Sequence, residues 1–307
     1  MEKTMSILSV IVPLAVCLTL GFLARKTNAV TAEQNRGIQQ FVLKFCIPCV
    51  LFNSCLEARL SSEALASMAV LIPVLLVCSI LGFRLRSRMG GHNIPMLFCA
   101  HETGMLGLPL FILLFGAGQA YHMGLLDMTQ AFVSIPVLTV LSSHTEKHSK
   151  IKSVLKIFTS PLLLMSVLGF ALGLSGVMAR LDAIGMGQII RETTAFMGQP
   201  VSAAMLFSIG YNLSLNRENT RKIFKLSGIH LAASVVSCLV MQAVLCLVPS
   251  ADVHTRWAAL LYCALPASFL APGLGKNEEE YRLASGVCSV LTIVTLVVFC
   301  VISILAV

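Results

Sequence analysis

Apolar residues in this chain do not alternate or fall on one helical stripe. They fill whole runs of roughly 18 to 25 residues, about the length a helix needs to cross bilayer hydrocarbon. Ten such runs follow one another, at 5–24, 38–56, 64–83, 94–115, 120–141, 157–177, 193–212, 226–248, 257–274 and 283–307. The pattern predicts an all-α membrane protein with ten transmembrane helices and no soluble domain. The first run lacks the small-residue cleavage site of a signal peptide and reads as a retained span.

The basic residues are distributed unevenly about those runs. Of 22 Lys and Arg, 16 lie in connections that follow odd-numbered runs, such as Arg84, Arg86 and Arg88, and 5 lie on the other side; Lys44 sits inside the second run. That bias predicts odd connections in the cytoplasm and both termini outside, in a multi-pass protein of the cytoplasmic (inner) membrane. Topology and anionic lipid account for the net charge of +8, so nucleic acid is not an expected partner. With 57% hydrophobic and 12% charged residues and a mean hydropathy of +0.87, a soluble protein is excluded. The 11 cysteines are scattered through apolar runs, where free Cys packs as a small hydrophobe, and they say little about redox compartment.

The two halves of the chain echo each other. Phe41, Leu51-Phe52 and Leu60 recur 155 residues later as Phe196, Leu206-Phe207 and Leu215, and Leu108-Pro109 recurs as Leu265-Pro266. Five runs per half is an odd number, so the second half must insert upside down relative to the first. The expected organisation is a first five-helix repeat at 1–141, a cytoplasmic connecting loop at 142–156 and a second, inverted repeat at 157–307.

Two runs carry Gly and Pro near their middles at corresponding places in the halves: the fourth, with Gly104, Gly107 and Pro109, and the ninth, with Pro266 and Pro272. Lipid cannot satisfy the peptide groups such breaks release, so they are tolerated only against protein or a water-filled cavity. A matched pair points to a transport site. Carbonyls near Met105 and Leu106 are expected to lose their helical partners, and Thr103, Gly104, Gly107, Pro109, Pro266, Ala267 and Ser268 are expected to line the site. Asn53, near the end of the second run, is a further substrate-binding candidate, although packing is the ordinary role for it and for Asn212.

Ionisable residues at membrane depth are costly and so carry information. Three roles compete for Glu102: holding a proton or cation, donating to substrate when protonated, or capping a half-helix. Asp127 is the second proton-coupling candidate, with pairing to His122 or His101 as its expected structural role. Lys44 either snorkels, pairs with an acid or meets an anionic substrate. His230 and Gln242 read as interhelical hydrogen-bonding groups. Cys46-Ile47-Pro48-Cys49 has dithiol spacing but lies inside an apolar run, and Asn212-Leu213-Ser214 fits a glycosylation pattern on the cytoplasmic side. The chain has no HExxH, Walker, GxSxG or paired-acid protease motif. No catalytic residue, cofactor or metal is therefore expected, and transport would run on gradients. A ligand-binding sensor is the alternative of a different class, against which the lack of an output domain counts.

At GMLGLPL…LFG, residues 104–116, and at ALPASFLA, residues 264–271, followed by Ala284-Ser285 and Ser289-Val290-Leu291-Thr292, the chain resembles the auxin efflux carrier family. Bacterial members described as malate or malonate permeases look most similar. The resemblance implies two inverted five-helix repeats with broken, crossing helices 4 and 9. It implies a scaffold of helices 1, 2, 6 and 7, a moving transport domain of helices 3–5 and 8–10, and elevator-type alternating access. It also implies a small organic anion as substrate and a homodimer formed through the scaffold. The chain departs from the family at Pro272-Gly273, where a plain helical continuation is more usual, and at Glu102, which stands where an Asn usually precedes Thr-Gly. Asn can donate to a carboxylate, whereas an ionised Glu repels one. Either Glu102 is protonated during transport, or the substrate is neutral or cationic.

Overall fold

The computed structural model describes residues 2–57, 62–142, 161–212, 219–248 and 252–306. The connecting loop at 142–156, apart from Ser142, and Leu213-Ser214 of the glycosylation pattern lie outside the described residues. Within them every named element is helical, and the only β pairing is an isolated bridge.

The first run is α1 (Glu2–Lys26). The second begins earlier than its apolar residues indicate. Thr31 accepts from the Gln34 amide while the Gln34 side chain accepts from Thr31, a capping box that starts α2 (Ala32–Phe41) in polar sequence. A π turn, Val42–Cys46, then leads into α3 (Ile47–Glu57). Pro48 follows that turn by two residues. Proline has no amide hydrogen to continue an α-helical ladder, and the wider π spacing absorbs the fault without breaking the helix. Lys44 is exposed on this turn beside Phe41 and Phe45.

The third run is α4 (Ser62–Met89). The fourth is split into α5 (Met96–Cys99), an extended stretch at 100–102, a π turn Thr103–Gly107 and α6 (Leu108–Phe115). The fifth is α7 (Ala120–Ser142). In the sixth, α8 (Pro161–Leu174) meets α9 (Val177–Ala183) at a 75° bend, where Gly176 takes a left-handed φ of 70°. The seventh forms α10 (Met186–Gly198) and α11 (Val201–Asn212), parted at Gln199-Pro200. The eighth is α12 (Thr220–Leu247). The ninth is α13 (Val253–Ala264), an irregular stretch and one 3-10 turn, Pro272–Leu274. The tenth is α14 (Glu278–Ala306), whose first-turn acids Glu278, Glu279 and Glu280 face its positive dipole end.

Among the described residues, five helices are long and apolar enough to cross a membrane, or six with the bent α8–α9 pair counted as one. Of the other four expected spans, the fourth, seventh and ninth runs are cut into shorter helices, while the fifth, α7, is one continuous helix of 23 residues. An apolar run marks burial in lipid or protein whether or not its backbone is continuous.

Close helix crossings position the rest. Helix α1 packs along α11, and α3 along α8. At the first crossing a side chain on Gly21 would overlap the Phe207 carbonyl, and one on Gly210 would overlap that of Leu18. At the second, Gly169 faces the Phe52 carbonyl and Gly173 that of Leu56. Backbones approach this closely only where no side chain intervenes. Gly210→Leu should therefore lower Tm in detergent by several degrees, in line with an overpacking cost of about 1–3 kcal/mol. Gly228→Ala, on α12 with open space around it, should leave Tm unchanged or slightly raised. Equal Tm values for the two variants would contradict the close crossing.

Candidate substrate site

The two interrupted runs meet and bond to each other. The Glu102 amide donates to the Pro266 carbonyl at 2.9 Å, and the Ser268 amide donates to the Ala100 carbonyl at 3.0 Å. His101 and Ala267 thereby form the isolated antiparallel bridge. Ala100 is extended at φ −147°, ψ 140°, as is Leu265 at φ −67°, ψ 152°. The chain is thus open ahead of the glycines, at 100–102, while Met105 and Leu106 lie inside the π turn that precedes Pro109. This π turn has the same two-residue spacing to its proline as the one before Pro48, which explains why the proline does not mark the opening itself.

Side chains satisfy peptide groups the bridge leaves free. The Gln130 amide bonds His101 on both sides, its Oε1 accepting from the His101 amide and its Nε2 donating to the His101 carbonyl, each at 3.0 Å. Gln130 Nε2 also reaches Thr103 Oγ1 at 2.9 Å and Asp127 Oδ1 at 3.0 Å, and the Tyr262 hydroxyl donates to Gln130 Oε1 at 2.7 Å. Thr103 donates its hydroxyl to Asp127. On α14, Thr295 donates to the Ala264 carbonyl at 2.6 Å, and the Cys288 thiol lies 3.7 Å from the carbonyls of Ala267 and Ser268.

Glu102 joins the two openings. One carboxylate oxygen accepts from the Phe269 amide at 2.7 Å, and the other accepts from the Met105 amide at 3.4 Å, capping the π turn and the half-helix beyond it. Capping, one of its three candidate roles, is therefore visible in the geometry. Glu102, Thr103, Gln130, Tyr262 and Ser268 are all buried. His101 bonds the Leu265 carbonyl through Nδ1 at 3.2 Å and packs its ring against Tyr262 and His230, with centroids 4.8 and 5.4 Å away. His230 in turn bonds the Leu97 carbonyl at 2.8 Å, the interhelical role expected of it. Gln242 likewise donates to the Arg256 carbonyl at 2.9 Å.

Other candidates divide. Ala267, Ser268, Pro266, Thr103 and Glu102 are at the crossing itself. Gly107 lets the half-helix approach the opposite opening, because a side chain there would press on Leu265 at 2.6 Å. Gly104 faces Leu43 of the other π turn, and the Pro109 carbonyl accepts from Ser202 at 3.0 Å. Asn53 donates to the Arg191 carbonyl at 3.3 Å, and Asn35 to the Asn212 side chain at the same length, as packing groups do.

The expected pairing of Asp127 with His122 or His101 is overturned, because Asp127 accepts from Thr103 and Gln130 instead. Both neighbours are hydroxyl or amide donors set in place by the opening, and they satisfy the acid without a cation. His122 lies at the start of α7 and belongs to a second polar cluster. Its Nε2 is 3.4 Å from Asp252 Oδ2, and its Nδ1 is 3.0 Å from the Thr255 hydroxyl. Gln130 and Tyr262 were absent from the sequence-based set. The available signal for Gln130 was its place three residues after Asp127, on the same helix face.

The chain matches the family model described as membrane transport protein over residues 6–306. It belongs to that family, the one that includes the auxin efflux carriers. No curated protein matches it. The protein is thus a multi-pass membrane transporter that handles a small-molecule substrate in a membrane setting.

Gln130→Leu should leave the buried His101 amide and carbonyl without their partner, at about 1–3 kcal/mol for each unsatisfied group. The expected outcome is a Tm several degrees below the parent, together with loss of ligand-induced stabilisation. An unchanged Tm would show that the amide does not hold the opening.

Proposed function

We propose that this transporter is a secondary active carrier of small organic acids, working by alternating access about the crossing of the fourth and ninth runs. The observation that carries this reading is the bridge between the two openings, ringed by buried Glu102, Thr103, Gln130 and Ser268. Elevator-type movement of the fourth and ninth runs with their neighbours, in the cytoplasmic membrane with both termini outside, completes the proposal.

The packing supports ten spans in two inverted repeats, 1–141 and 157–307, joined by 142–156. A two-fold relation that exchanges the first run with the sixth and the second with the seventh requires their contacts to come in matched couples. Helix α1 of the first run packs on α11 of the seventh, and α3 of the second on α8 of the sixth. Phe52 and Phe207, which are 155 positions apart, each turn a carbonyl toward a glycine of the partner helix. These four runs make the proposed scaffold, and runs three to five with eight to ten make the proposed transport domain. Helices α4 and α12 of the third and eighth runs pack on each other, a contact that exchange of those two runs maps onto itself.

Glu102 supplies the coupling in this scheme. Its carboxylate occupies two backbone N–H groups that would otherwise suit an anion. Protonation weakens it as an acceptor and removes its repulsion, so a substrate carboxylate takes over the Phe269 and Met105 amides and one proton moves with one anion. Asp127, bonded to Thr103 and Gln130, is the second group through which a proton would act. Thr103, Gly104, Gly107, Pro109, Pro266, Ala267 and Ser268 would form the walls.

A second reading, a carrier of neutral or cationic substrates, is favoured by one observation. Among the described residues, the hydrogen-bonded cluster at the crossing holds Glu102 and Asp127 and no Lys or Arg. Uptake into proteoliposomes under an imposed proton gradient separates the readings. Saturable accumulation of mono- or dicarboxylates, abolished by a protonophore, is expected. Glu102→Gln should cut proton-driven accumulation roughly tenfold or more, as loss of a charged hydrogen-bonding group would. Accumulation of weak bases alone favours the second reading, and binding without flux means a sensor. Unchanged coupling in Glu102→Gln removes that residue from the proton path.

A further inference from the structure

Away from the crossing, the start of α7 meets the start of α13 in a cluster of two histidines and an aspartate. His122 Nε2 lies 3.4 Å from Asp252 Oδ2, and His254 Nδ1 lies 2.9 Å from Asp252 Oδ1. One ligand atom from each of the three residues falls within 4.8 Å of the others. Donor atoms around a tetrahedral zinc ion, at bond lengths of about 2.0–2.1 Å, stand about 3.3 Å apart. The 3.4 and 2.9 Å spacings run to different oxygens of Asp252, so a cation between the two rings would take that carboxylate through both oxygens, or through one after a turn of the part-exposed His254 ring. We propose that His122, Asp252 and His254 form a binding site for a divalent transition-metal cation of the zinc class.

Three features beyond proximity support the assignment. The inner ring is oriented from behind: His122 Nδ1 is held by the buried Thr255 hydroxyl at 3.0 Å, which directs Nε2 toward the carboxylate as second-layer partners of metal-ligating histidines do. The ligand set is two imidazoles and one carboxylate, borderline donors that suit zinc, copper or nickel far better than calcium or magnesium. The site is also reachable, because the side chains of Asp252 and His254 are 40% and 30% exposed while that of His122 is 3% exposed. A fourth position is left for water or for the Gln119 amide oxygen, 3.2 Å from His122 Nε2. The sequence hides this grouping because His122 and Asp252 are 130 positions apart and lack any short metal-binding motif. A cation here would tie the first half of the chain to the second, whatever the carrier moves.

Metal content and thermal stability of tag-free protein in detergent, stripped with chelator and then dialysed against zinc sulfate, test the site. One zinc per chain and a Tm rise of roughly 3 °C or more are expected for the parent, with no rise in magnesium or calcium. Asp252→Asn retains the helix-capping oxygen and His254→Gln alters a part-exposed ring, so both variants should keep the metal-free Tm while losing the zinc and the shift. Cobalt in place of zinc should give visible bands of a low-coordinate nitrogen–oxygen site in the parent alone. No zinc bound by the parent overturns the proposal. So does zinc retained by both variants, which would place it on the free thiols.

Discussion

A peptide group at membrane depth has no water to turn to, and this requirement organises the structure more than any side-chain contact does. Ending a helix there releases amides and carbonyls, each of which costs several kcal/mol if left bare. Here two openings face one another and exchange two hydrogen bonds, as neighbouring strands of a sheet do. The pairing is too short to satisfy every group, and the remainder falls to Gln130, Glu102 and Thr295. Gln130 suits its position because a carboxamide offers one donor and one acceptor in the same arrangement as a peptide, and so works as a third strand one residue long. The polar residues that surround a prospective substrate are thus the same ones that make the openings tolerable.

The broad plan was legible in the sequence because it rests on properties that add up over many residues. The apolar runs that mark a helical membrane protein, and the paired Gly and Pro that mark the breaks in the fourth and ninth runs, each survive errors at single positions. Local detail was less legible. Pro109 suggested an opening near Met105 and Leu106, yet the π turn at Thr103–Gly107 absorbs the missing amide and the chain opens before it. The matching turn ahead of Pro48 keeps the second run helical through Lys44 and its proline. Gln199-Pro200, which has no such turn, parts the seventh run into two helices. Proline signals a fault in the ladder, and the neighbouring residues decide whether it becomes a bulge or a break.

Asp127 shows a second limit. Matching acids to bases pointed to His122 or His101, a reasonable choice where only charge is considered. What that choice leaves out is that a broken helix creates local donors and acceptors. Thr103 stands just beyond the opening and Gln130 one turn along α7, and together they satisfy the carboxylate. His122 was then free to meet Asp252 and Thr255, residues from the other half of the chain that no spacing rule connects to it.

Glu102 brings the fold and the proposed chemistry together. A cap is ordinarily a permanent fixture, since losing it costs about 1 kcal/mol and gains nothing. This cap differs in spanning two separate openings, with the Met105 amide on one side and the Phe269 amide on the other. The carboxylate therefore contributes to holding them together as well as satisfying each. A substrate carrying its own carboxylate can replace it only by bonding the same two amides, so on the proposed reading the carrier distinguishes loaded from empty by which anion joins the openings. A neutral substrate would leave Glu102 in place and a cation would bind against it, which is why the charge of the cargo and the protonation of this one residue are a single question.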